Sequence, residues 1–162
     1  MAQLVREAEE AQTAQTAVPR LAPPSTLAER EARVLDGLRG NRRLVSGLDA
    51  AGRAAVLAWS EEAARRIVAD TAGLDDAAAE DILQPRVRAF RRMIYALKDA
   101  AATGAAATPE LVAALSRQAG LAFGPDAGVP GPDAVDTVCR AYNSAPADFA
   151  SRCGVIRAFT AA

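Results

Sequence analysis

Arg88, Arg91 and Arg92 fall within five consecutive residues, with Tyr95 and Lys98 close behind in the run PRVRAFRRMIYALKDA, 85–100. Guanidinium groups at that density recognise oxyanions, because their planar forks match carboxylate or phosphate geometry through two parallel N–H bonds. On a helical projection Val87, Phe90, Met93, Ile94, Leu97 and Ala101 gather on one side, and Arg88, Arg91, Arg92, Tyr95, Lys98 and Asp99 take the other. None of the three arginines has an acid three or four residues away, and Arg88 and Arg92 repel one another at i, i+4. Arg65 and Arg66 look different, with Glu61, Glu62 and Asp70 at pairing distance along the same helix. The expected partner surface is therefore Arg88, Arg91, Arg92, Tyr95 and Lys98, facing an acceptor outside its own helix.

Other chemistries are restricted by composition. The chain has no histidine, which removes the commonest general base, metal ligand and pH switch together. Asp75, Asp76, Glu80 and Asp81 are the one cluster suited to a hard cation, but acids in the first turns of a helix are accounted for by its positive end. GLRGNRR, 37–43, lacks the preceding strand that a phosphate-cradling loop requires and reads as a helix break. Cys139 and Cys153 are too few for a disulfide framework or a zinc site and are expected as buried thiols. No catalytic set, metal or cofactor is expected. An enzyme here would have to work through carboxylates, arginine or cysteine alone.

The elements that must position the arginines are helices. Alanine fills about a quarter of the 162 residues and aromatics only 4%, a bias towards closely packed helices and away from strands. Thr26 with Glu29 forms a capping-box pattern ahead of Leu27, Val34, Leu35 and Leu38. Gly40 and Asn41 interrupt, and a short helix carries Leu44, Val45 and Leu48. The next helix, expected over 50–72 and ended by Gly73, has an apolar stripe about half its circumference wide centred on Trp59, so it should be central and Trp59 buried. Residues 74–104 read as one helix capped by Asp75 or Asp76 and kinked at Pro85. Thr108 and Pro109 open a helix expected to stop at Gly120, and the Gly- and Pro-rich stretch 123–133 is a loop. Two short helices follow, the second capped near Ser144.

The fold expected is all-α: a single bundle-like domain of six or seven helices over 25–162, preceded by an arm, 1–24, flexible on its own or docked on a partner. Within the arm, Leu4, Ala8, Ala11 and Val18 line one side of a weak helical pattern before PRLAPP, 19–24, breaks it. A net charge of −1 gives no global attraction to polyanions, and no apolar window reaches the length a bilayer requires. With no basic n-region or apolar h-region at the N-terminus, a cytoplasmic protein is expected, and the near-exclusive use of arginine over lysine suggests a GC-rich bacterial coding sequence. The function expected is a non-catalytic protein-protein interaction or regulatory module, a subunit or adaptor of a larger assembly, meeting an acidic protein partner through the Arg-rich face. The alternative is a nucleic-acid-associated protein laying the same face along a phosphate backbone.

Overall fold

The computed structural model describes residues 23–125, 127 and 131–161, so the expected arm lies almost wholly outside the described residues. Among these are seven helices and no strand: α1 Leu27–Arg39, α2 Arg42–Val45, α3 Ala50–Val68, α4 Asp76–Thr103, α5 Pro109–Phe123, α6 Pro132–Ser144 and α7 Phe149–Phe159. The described domain is all-α, as the composition predicts.

Helix starts follow local chemistry. Thr26 accepts from the Glu29 amide while the Glu29 carboxylate reaches back to Thr26, so the capping box closes in both directions. Asp49, Asp75, Thr108 and Asp148 each accept from an amide three residues on. The last of these corrects the expected cap near Ser144, which instead ends α6. Asp148 offers a carboxylate to the free amide of Ser151 and also accepts from the Ser151 hydroxyl, so it outcompetes Ser144 for the role.

Two helix ends also differ from expectation. Helix α3 stops at Val68, not near residue 72, and Gly73, at φ +81°, sits in the turn beyond. The carbonyls of Ile67, Thr71 and Leu74 are claimed by guanidinium groups from α4 and α1, which hold this turn out of helix. Helix α5 continues through Gly120 to Phe123, because burying Ala122 and packing Phe123 against Phe90 outweighs the ~1 kcal/mol that a mid-helix glycine costs. It ends at Gly124, whose φ of +110° suits only glycine. Pro85 lies inside the unbroken α4.

The core lies around α3, which packs against α1, α2, α4, α5 and α7. Trp59 is fully buried there, edge-on to Phe90 at 5.4 Å between ring centroids. Helices α4 and α5 form the most extensive pair, and α6 closes the far side between α5 and α7. Cys139 and Cys153 are buried free thiols on α6 and α7, and desolvation pushes the Cys153 thiol up to about 12. No helix among the described residues is long and apolar enough to cross a membrane.

Candidate functional site: the groove between α1 and α4

Helices α1 and α4 both lie on α3 and make little contact with each other. They begin at the same end of the molecule, where the Ser25 amide donates to Asp76 Oδ1 at 2.9 Å, and run side by side. What remains between them is a groove of about 330 Å³. Val34, Leu83 and Val87 form its apolar floor, and Gly37 leaves the α1 side open. Its cations are Arg33 on one wall, Arg88 and Arg91 on the other and Arg30 at the base, with Glu80 the one carboxylate along its lining.

Arg30 closes the base. Only 2% of it is exposed, and its guanidinium donates to the carbonyls of Thr71 and Leu74 and to Asp76. The Asp76 carboxyl is held below its usual range, first by the Ser25 amide and then by Arg30. Arg30 thus ties α1 to the α3–α4 turn and fixes the spacing of the groove walls. It shares the i, i+4, i+8 stripe of Val34 and Leu38, and an arginine on an apolar stripe is the signal that marks it in the sequence.

The other groove arginines are held differently. Arg88 is exposed and Arg91 half-buried; neither makes an ion pair or a side-chain hydrogen bond among the described residues. The Arg91 Nε–H is shut off from water without an acceptor, so packing and not hydrogen bonding fixes that side chain. Arg33 donates to the Ser25 hydroxyl at 3.0 Å. Arg92 is exposed beside the groove, outside its lining.

Tyr95 and Lys98 are placed elsewhere. The Tyr95 hydroxyl accepts from Asn41 Nδ2 at 2.8 Å, and the Arg43 guanidinium lies 4.3 Å from its ring centroid. Lys98 donates to the Arg43 carbonyl and to the Ser46 hydroxyl, and burial lowers its pKa, with Arg43 adding to the shift. Both line a second depression of about 570 Å³, formed by the α2–α3 turn, α4 and the start of α7. The five expected residues are therefore not one surface. Arg88 and Arg91 enter the groove, Arg92 flanks it, and Tyr95 and Lys98 clasp α2 to α4.

The expected local pairing of Arg65 and Arg66 is also corrected. Glu61 pairs with Arg39 and Glu62 with Arg157 across helices, and Asp70, in the turn after α3, pairs with Arg86 on α4. Arg66 instead stacks on Phe123 at 4.1 Å and donates to the Thr160 carbonyl. Tertiary neighbours, not i, i+4 spacing, decide which arginines are paired. The acid cluster is likewise occupied: Asp75 caps α4, Asp76 holds Ser25 and Arg30, and Glu80 accepts from Gln84.

No protein-family model, curated protein or solved structure matches the chain.

Proposed function

We propose that the protein is a helical interaction module that receives an acidic amphipathic helix from a protein partner in the α1–α4 groove. The observation that carries this reading is the convergence of Arg33, Arg88 and Arg91 around an apolar floor, with Arg88 and the Arg91 Nε–H making no hydrogen bond or ion pair within the described residues. An apolar trough takes the apolar ridge of a helix, and guanidinium groups on both walls pair with carboxylates flanking that ridge. The lining extends over two to three turns of each helix, about 10 to 17 Å, which suits a short helical segment. Arg92 extends the contact beyond the rim. Tyr95 and Lys98 support the reading indirectly, by holding α2 against α4. An adaptor or regulatory subunit uses a surface of this kind.

A nucleic acid is less well served. Its phosphates would meet few cations here, and with a net charge of −1 the rest of the surface repels a long polyanion.

The test uses a labelled 16-residue helical peptide with a leucine ridge flanked by glutamates, titrated into the full chain by fluorescence anisotropy. Binding should weaken as salt rises and should be lost in Arg88→Glu/Arg91→Glu, whose circular dichroism should match wild type. Absence of peptide binding, with tight binding of a DNA duplex at physiological salt that the double mutant loses, overturns the proposal in favour of phosphate recognition.

A further inference from the structure

We infer that the resident occupant of this groove is the chain's own segment Leu4–Ala11, which a partner must displace; this rests on the reading of the groove given above. The inference begins with complementarity. As a helix, LVREAEEA sets Leu4, Val5, Ala8 and Ala11 in one ridge, with Glu7 on one flank and Glu9 on the other, and Glu10 one step beyond Glu7. That is the pattern the groove demands: Val34, Leu83 and Val87 meet the ridge, Arg33 faces one flank, and Arg88 and Arg91 face the other. The acids of the segment outnumber its one arginine, Arg6, which projects away from the ridge.

The connection also fits. The chain enters α1 where the Ser25 amide is tied to Asp76, at the end of the groove where both walls begin. From Ala11 to Ser25 an extended chain reaches about 45 Å, whereas α1 is about 20 Å long. The segment can therefore double back antiparallel to α1 and α4 without strain. A short tether supplies an effective concentration in the millimolar range, so a segment with ~100 μM intrinsic affinity occupies the groove about nine-tenths of the time. A competing partner helix then binds about tenfold more weakly than it would to an empty groove.

The experiment compares three full-length chains: wild type, Glu7→Lys/Glu9→Lys/Glu10→Lys, and Arg88→Glu/Arg91→Glu. Each is titrated with the glutamate-flanked peptide and, separately, with a synthetic peptide of residues 1–18. The arm-reversed chain is expected to bind both peptides about tenfold more tightly than wild type, and the double mutant to bind neither. Equal affinity of wild type and the arm-reversed chain, with loss in the double mutant, overturns the resident occupant and leaves the groove reading standing. No binding by any of the three overturns both. Concentration-dependent self-association of wild type, abolished by the arm reversal, assigns the segment to the groove of a second copy and overturns docking within one chain.

Discussion

The two halves of the polar face of α4 contain the same kinds of residue and are used in opposite ways. Towards its C-terminus, Tyr95 and Lys98 are drawn into contacts with Asn41, Arg43 and Ser46, and their polar atoms are engaged within the molecule. One to two turns earlier, Arg88 and Arg91 face α1 across a gap and have no such contacts among the described residues. The difference comes from the neighbour. Helix α2 is short and packs against α4 directly, whereas α1 is held on α3 with little contact to α4. A cationic face becomes structural where another element supplies acceptors, and remains open for recognition where it does not.

The strongest challenge to this contrast is Arg30, the groove arginine that behaves structurally. Replacing it with methionine keeps much of its volume and strands the Thr71 and Leu74 carbonyls, together with one partner of Asp76. Leaving buried acceptors unsatisfied costs about 1 to 3 kcal/mol each, so Arg30→Met should lower stability by about 3 kcal/mol in urea unfolding. A loss below about 1 kcal/mol would show that Arg30 is exchangeable with the open arginines and that the groove has no rigid base.

Tyr95 sharpens the other half. Tyr95→Phe removes the hydroxyl that accepts from Asn41 while keeping the ring beneath Arg43. The expected loss is about 1 kcal/mol, with peptide affinity unchanged, since the hydroxyl faces α2 and not the groove. A drop in affinity without a drop in stability would return Tyr95 to the recognition surface.

How much of this was legible in the sequence depended on distance along the chain. The caps at Thr26, Asp75 and Thr108 involve amides three residues on, and local pattern suffices for them. Burial of Trp59 followed from the stripe on its own helix. Asp148 was missed because two cap-competent residues, Ser144 and Asp148, lie four apart, and which one caps depends on where α6 ends. The groove was illegible as a whole, because its walls are some fifty residues apart in sequence and its width depends on Arg30 reaching the turn after α3. Pairing of arginines misled most: Arg65 and Arg66 have acids at helical spacing, yet those acids answer to Arg39, Arg157 and Arg86.

The smallest expected effect separates the two halves by its sign. Arg88 stands four residues from Arg92 and three from Arg91 on one helix face, with no compensating ion pair among the described residues. Like charges at these spacings destabilise a helix by a few tenths of a kcal/mol. Arg88→Gln retains helix propensity and length while removing the charge, so it should raise stability by about 0.2 to 0.5 kcal/mol at low salt, and the gain should shrink as salt screens the repulsion. If Arg88 were instead engaged structurally, as Tyr95 and Lys98 are, the same substitution would lower stability. A stabilised Arg88→Gln that binds the acidic peptide more weakly has the signature of a residue kept at a cost to the fold, and it ties the open half of α4 to recognition.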